Sequence, residues 1–231
     1  MSTLICMPTY NEAENLGPIV EAIFEVVPNV HILVIDDNSP DGTGRLADQL
    51  AADDARVHVL HRTAKEGLGK AYIAGFKWAL ARDYERILEM DADFSHQPRY
   101  LPEMIAQLHT HDVVVGSRYV PGGGTQDWGL MRRLISRGGG LYARTILGIR
   151  VRDLTAGFVA WRRNVLESLD LDTIEASGYV FQIEMKYRAH QKGFAILEVP
   201  INFPDRTVGE SKMTPDIAIE ALTRVWKIRL K

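Results

Sequence analysis

The sequence predicts an α/β fold: a Rossmann-like, mostly parallel sheet with helices on both faces. Two observations carry this. Five short apolar runs rich in Val and Ile are each followed by turn residues, and every interval between them has apolar residues recurring at three and four. In order, Leu4 to Met7 reads as a strand ended by Pro8, and Asn15 to Val27 as the first helix. His31 to Ile35 is the second strand, ended by the turn formers Asp36, Asp37, Asn38 and Ser39, with a helix over Thr43 to Ala52. Val57 to Leu60 and Ile87 to Met90 are the third and fourth strands, separated by a helix over Leu68 to Arg82. Pro98 opens a helix over Tyr100 to Leu108, and Val113 to Val115 is the fifth strand.

A chain of 231 residues, 46% hydrophobic and 25% charged, can bury a substantial core, and one domain over 1–231 is expected, with a first half at 1–117 and a second at 118–231. Cys6 is the single cysteine, so no internal disulfide is possible and a reducing compartment is expected. The first residues, Met1 to Pro8, do not read as a secretion signal, and no apolar run approaches the roughly 20 residues needed to span a bilayer. The net charge of -3 is unevenly spread. From Arg118 to Arg152 seven arginines face one acid, Asp127, so that segment carries +6 and the remainder -9. One face is therefore expected to meet an anion. Sparse aromatics and the lack of a recognisable module argue against nucleic acid, leaving a phosphate-bearing substrate or an anionic membrane surface.

In sheets of this type ligands bind beyond the carboxyl ends of the strands. Those ends read Pro8-Thr9-Tyr10-Asn11-Glu12, Asp36-Asp37-Asn38-Ser39, His61-Arg62, Asp91-Ala92-Asp93 and Gly116-Ser117-Arg118. Neither the glycine fingerprint of dinucleotide-binding dehydrogenases nor a Walker-type phosphate loop is present, and Gly67-Leu68-Gly69-Lys70 reads as a helix start. Residues two apart on an extended chain point the same way, so Asp91 and Asp93, with Ser95 beyond, can present oxygens to one hard cation. Taken alone, the same residues would also suit a solvated, Asp-capped turn.

Taken together, Cys6-Met7-Pro8-Thr9-Tyr10-Asn11-Glu12, Val34 to Thr43, Gly67 to Tyr72, Asp91 to Pro98, Gly116-Ser117-Arg118-Tyr119 and Asp205 to Lys212 resemble the dolichyl-phosphate (polyprenyl-phosphate) mannose synthases of the inverting glycosyltransferase family 2. The resemblance runs nearly end to end in the same motif order. It implies a GT-A (nucleotide-diphospho-sugar transferase) fold, Mg2+ or Mn2+ as cofactor, GDP-mannose as donor and a polyprenyl phosphate as acceptor. It places Pro8, Tyr10, Glu12, Ile35 and Asp37 around the nucleotide, and Asp91, Ala92 and Asp93 at the donor diphosphate. The same resemblance makes Asp93 the expected direct metal ligand. Ser95 departs from members with Gln there, which weakens its claim as a ligand. Arg118, Arg132 and Ser136 match positions that hold the acceptor phosphate. Arg206 and Lys212, six residues apart around Gly209, could both reach the pyrophosphate of the donor. The residues expected to carry the chemistry are Asp93, Arg118, Arg206 and Lys212.

Many relatives that glycosylate hydroxyls carry a catalytic carboxylate in a Glu-Asp pair and a Q-x-x-R-W motif; neither occurs after Arg118. A phosphate monoester needs no base, since its second pKa is about 6. The missing base and the arginine-rich segment thus point to the same acceptor. Gly122-Gly123-Gly124 and Gly138-Gly139-Gly140 bracket a basic stretch, Trp128 to Arg137, read as an amphipathic segment between flexible joints. Ile217 to Lys231 is amphipathic, with Trp226 and Leu230 broadening its apolar side; it suits either a membrane surface or packing on the domain. The expected setting is the cytoplasmic face of a membrane, peripherally bound, with room for a separate membrane-anchoring subunit. Two rivals stand beside this reading: a polyprenyl-phosphate glycosyltransferase using UDP-glucose or another UDP-sugar, and a non-catalytic nucleotide-binding regulatory subunit.

Overall fold

A computed structural model of the chain describes residues 1–126, 129–174, 178–204 and 215–230. The five expected strands form as β1 (Thr3–Thr9), β2 (His31–Asp36), β3 (Val57–His61), β4 (Arg86–Glu89) and β5 (Val113–Ser117). The helices between them are α1 (Ala13–Val26), α2 (Thr43–Asp53), α3 (Leu68–Leu80) and α4 (Leu101–Gln107). The second half adds β6 (Gly124–Thr125), α5 (Leu130–Leu147), β7 (Val159–Arg162), α6 (Arg163–Ser168), α7 (Gly178–Gln191), β8 (Ile196–Pro200), β9 (Asn202–Phe203) and α8 (Pro215–Leu230).

Seven strands join in the order β3-β2-β1-β4-β7-β5-β8. All neighbours are parallel except β7, which runs antiparallel between β4 and β5. A strand from the second half of the chain therefore sits between two from the first, and both halves share one sheet. The small pair β6 and β9 lies apart, with Gly124 opposite Asn202.

Side chains alternate along each strand, as pleating requires, and the alternation builds two cores. Leu4, Cys6, Leu33, Ile35, Ile87 and Trp161 face one cluster, which includes residues of α3, α5, α6, α7 and α8. Ile5, Met7, Ile32, Val34, Leu88 and Phe158 face the other, with residues of α1, α2 and α4. The Cys6 thiol is fully buried, and burial holds its ionisation far above the usual range. α3 approaches the sheet at Gly75, where an added Cβ would lie 2.5 Å from Ile35 Cδ1 and 3.1 Å from Cys6 Sγ.

Two expectations are corrected here. Gly138, Gly139 and Gly140 do not interrupt a helix: α5 runs through them. The far side of α5 packs on the domain through Gly140, Ala143 and Leu147, and this burial outweighs glycine's low helix propensity. Along α8, Val225 and Ile228 are buried against the domain, while Trp226 and Leu230 are exposed and lie off the buried stripe. Arg229 Nη1 donates to Tyr187 Oη at 2.9 Å, tying α8 to α7. Among the described residues no helix is long and apolar enough to cross a membrane.

Replacing Gly75 with Val forces the contact with Ile35 and should cost about 2 kcal/mol. Urea unfolding of Gly75→Val against the parent chain measures it.

Candidate active site

Three loops meet at the carboxyl ends of β1, β2 and β4. The β2 corner, Asp36 to Gly42, is built from turn formers, and its side chains stitch it to the β1 corner. Asp36 accepts from Ser39 N at 3.2 Å and Ser39 Oγ at 2.5 Å, and Thr9 Oγ1 donates to it at 3.4 Å. Asp41 accepts from Ala13 N at 3.1 Å and Thr43 Oγ1 at 2.6 Å. Asn11 N donates to Ser39 Oγ and Glu12 N to Thr43 Oγ1. Asn11 (φ 60) and Asn38 (φ 57) adopt the left-handed conformation that asparagine tolerates.

With Asp36 committed to the turn, Asp37 points the other way and pairs with Arg62. Burial pushes the Asp37 carboxyl up, and Arg62 offsets part of that shift. Tyr10 is partly exposed with Lys65 Nζ 3.6 Å from its ring centre, and Glu12 accepts from Asn15 Nδ2 at 2.9 Å. A partly exposed ring beside a fixed carboxylate suits a flat base and a ribose diol. Pro8 is half-buried at the same edge. Ile35 differs from expectation: its side chain is fully enclosed in the core beneath α3, because it follows the inward phase of β2. It shapes the floor and offers no side-chain surface to a ligand.

The β4 corner turns at Phe94 (φ 61). Asp91 N donates to His96 Nδ1 at 2.9 Å, and His96 is packed between Phe158 and Phe203. Tyr72 Oη donates to Asp91 Oδ1 at 3.3 Å. Ala92 is buried; Asp91 and Asp93 are half-buried. Ser95 N and Oγ both donate to Asp93 Oδ1, and Ser95 itself is buried. The Ser95 hydroxyl, expected beside the metal, donates its proton to Asp93 and so orients that carboxylate, while its oxygen lone pairs stay on the same side as the Asp91 and Asp93 pair. No group of three or more His, Cys, Asp or Glu side chains able to hold a metal exists among the described residues. Two carboxylates of hard oxygen character still fit Mg2+ or Mn2+ of the kind that takes one or two protein ligands and completes its shell with water and ligand phosphate.

On the far side, Arg118 is buried, with Asp153 accepting from its N at 2.9 Å, Nε at 2.8 Å and Nη2 at 2.7 Å. Burial alone would raise the Asp153 carboxyl, but the Arg118 charge and its hydrogen bonds outweigh that and hold it below its usual range. Nη2 also donates to Thr155 Oγ1 at 2.9 Å. Tyr119 Oη and Ser136 Oγ share a 2.6 Å hydrogen bond, which brings α5 to the β5 corner. Arg132 lies on α5 with its side chain outside the described set, and Arg206 and Lys212 lie outside the described residues altogether.

Beneath this edge is a buried ionic network that sequence reasoning missed. Glu89 accepts from Trp161 Nε1 at 2.7 Å and from Gln182 Nε2. Lys186 Nζ donates to the carbonyls of Ala156 at 2.7 Å and Leu154 at 3.2 Å, and to Gln182 Oε1 at 3.1 Å. Both charges are fully enclosed. Burial raises the Glu89 carboxyl to about 7 and lowers the Lys186 ammonium to about 8. A glutamate inside the apolar run Ile87 to Met90 was the available signal that a buried partner existed.

A glycosyl transferase family 2 model matches residues 4–170. The chain is 50% identical over 227 residues to the undecaprenyl-phosphate mannosyltransferase of Micrococcus luteus, covering 98% of this chain and 93% of that protein. It is also 50% identical over 231 residues to the polyprenol monophosphomannose synthase of Mycolicibacterium smegmatis, covering 98% and 87%. The glucosyl-3-phosphoglycerate synthase of Mycobacterium tuberculosis, solved with Mn2+, UDP and glucosyl-3-phosphoglycerate, superposes with a TM-score of 0.68 at 20% identity. That alignment covers 99% of this chain and 78% of the other, and the likeness is one of fold.

Lys186→Met strands a buried carboxylate and should cost about 3 to 5 kcal/mol. Adding Glu89→Gln, which keeps the shape and the bond from Trp161, should recover most of the loss; chemical denaturation of both variants measures it.

Proposed function

From the premise that the chain belongs to glycosyl transferase family 2 and has its GT-A fold, we propose that it transfers mannose from GDP-mannose to a polyprenyl phosphate, with inversion at the anomeric carbon. The observation that carries the reading is near-full-length 50% identity to two proteins named for mannosyl transfer to, or synthesis of, polyprenyl phosphate products.

The donor lies over the β1, β2 and β4 corners. Tyr10 and Pro8 flank the base, Asp37 accepts from the ribose hydroxyls, and Asp91 and Asp93 would hold Mg2+ or Mn2+, which supplies charge neutralisation at the departing diphosphate. Ser95 keeps Asp93 in the orientation that this needs. Arg206 and Lys212 add positive charge at the leaving group, Arg as a two-pronged donor and Lys as a point charge.

An oxygen of the acceptor phosphate attacks the anomeric carbon as the bond to the diphosphate oxygen breaks. No proton has to be removed, because a phosphate monoester with a second pKa of about 6 is largely dianionic at neutral pH. Asp153 is not poised as a base: it is enclosed, bound three times by Arg118 and held below its usual range. Exposed Met131, Leu134 and Leu141 on α5, among basic residues, support peripheral binding to a membrane surface where the lipid acceptor resides, on the cytoplasmic face, with or without an anchoring subunit.

Incubating the protein with undecaprenyl phosphate, Mg2+ or Mn2+, and radiolabelled GDP-mannose or UDP-glucose, followed by organic extraction, tests the reading. Label should enter the lipid from GDP-mannose; label from UDP-glucose alone would overturn the donor assignment. Asp93→Ala should lower turnover by about a hundredfold or more. Binding of GDP without transfer, together with an Asp93→Ala chain that behaves normally in cells, would instead mark a regulatory subunit.

A further inference from the structure

We propose that a second anion site lies at the amino end of β4, the opposite end from the Asp91 to Asp93 corner, and takes the phosphate or carboxylate head group of a small molecule. A cavity of about 320 Å³ opens there between the start of β4, the end of β7, the first turn of α6 and Met1. Arg86, Arg162, Arg163 and Asn164 line it.

Strand register gathers the positive charge. Arg86 and Arg162 are direct partners on the antiparallel pair β4 and β7, so their side chains leave the sheet on the same face. It is the face of Leu88 and Ala160, where Leu108, just after α4, also packs. Like charges directly opposite each other oppose strand pairing, yet this pair stands in the interior of a seven-stranded sheet. A bound anion turns that repulsion into attraction.

Arg86 supplies the donors. It is 8% exposed, and a charge so enclosed is normally paired. Among the described residues Arg86 makes no ion pair. Its side-chain bonds, both from Nη2, go to Met1 Sδ at 2.9 Å and His109 Nε2 at 3.1 Å. A thioether is a weak acceptor, and an imidazole nitrogen that accepts belongs to a neutral ring. Nε and Nη1 carry the other three N–H groups and have no partner among the described residues, yet neither atom is sealed from solvent. The neighbouring arginines are spent. Arg163 Nε donates to Glu167 at 2.6 Å, and its other nitrogens hold the carbonyls of Leu80, Arg82 and Tyr84. Arg162 holds the carbonyls of Leu108 and His109 at 2.6 and 2.7 Å and stands 3.7 Å from Asp112. Glu85 stands 3.7 Å from the Met1 ammonium. The Met1 ammonium and three arginines thus face Glu85, Asp112 and Glu167, which leaves one positive charge over, and the unspent donors are those of Arg86. Charge-assisted bonds from a guanidinium suit the oxygens of a phosphate or carboxylate.

The test is titration calorimetry of the metal-free chain near neutral pH in chloride buffer, with phenyl phosphate and separately with benzoate. It compares the parent chain, Arg86→Gln, Asn164→Asp and Arg132→Gln, the last controlling for the acceptor side of the candidate active site. Asn164 is exposed in the first turn of α6, where aspartate suits a helix, so Asn164→Asp sets a competing carboxylate at the cavity without harming the fold. The parent should bind at least one probe at a site that Arg86→Gln weakens about tenfold or more, Asn164→Asp weakens about threefold or more, and Arg132→Gln leaves within about twofold. Phenyl phosphate alone would assign the site to phosphate esters, benzoate alone to carboxylates, and both to either head group. Failure of both probes to bind the parent overturns the proposal, as does loss of all binding in Arg132→Gln or parent-like affinity in Arg86→Gln. Thermal melts check folding; should Arg86→Gln not fold, parent-like affinity in Asn164→Asp overturns the proposal and weakened affinity supports it.

Discussion

Four charges almost shut off from water, Glu89, Lys186, Asp153 and Arg118, lie beneath the edge of the sheet that carries the site. They come from β4, α7, the loop before β7 and the end of β5, and their formal charges sum to zero. Moving each from water costs several kcal/mol, and only close hydrogen bonding offsets this. Here the offset is extensive: Lys186 caps two loop carbonyls, Asp153 receives three bonds from Arg118, and Trp161 of β7 donates to Glu89. The antiparallel β7 thus contributes to the site's support by bringing the Trp161 indole to a carboxylate two strand positions before Asp91. Such a network has few alternative arrangements, so the positions of the β5 corner and the Asp153 loop are tightly specified.

The first half of the fold was legible because β1, β2, β4 and β5 are buried on both faces and the strands alternate with helices of clear period, leaving the chain few ways to pair. The second half was less so. Val159 to Arg162 is too short to announce its direction, and its antiparallel placement depends on partners far away in sequence. The glycine triplet of α5 misled because local propensity favours a break, while packing of the helix's inner side on the domain decides for continuity. At the site, residue types were readable but their orientation was not. Ile35 and Ser95 occupy the expected corners yet turn inward, one to the core and the other to Asp93. The Arg118 side chain could be foreseen at the edge, but not the carboxylate that compensates it.

The two sides of the site are held differently. On the donor side, side chains of Ser39, Asp41 and Thr43 accept from backbone of the β1 loop and Asp36 accepts from Ser39 N in its own turn, so the corner is formed before any ligand arrives and little ordering remains to be done on binding. On the acceptor side, α5 meets the β5 corner through the Tyr119 to Ser136 bond, and its outer face presents large apolar side chains to solvent.

Cys6 has a consequence outside catalysis. The thiol sits in the middle of the sheet on β1, between β2 and β4, enclosed and poorly ionised. Thiol reagents attack the thiolate, so in the closed molecule this sulfur is inert. It becomes reactive only when the central strand opens, which makes the speed of its labelling a clock for the rarest fluctuation of the fold. The chain therefore carries a single internal reporter that needs no engineering and does not touch the candidate site.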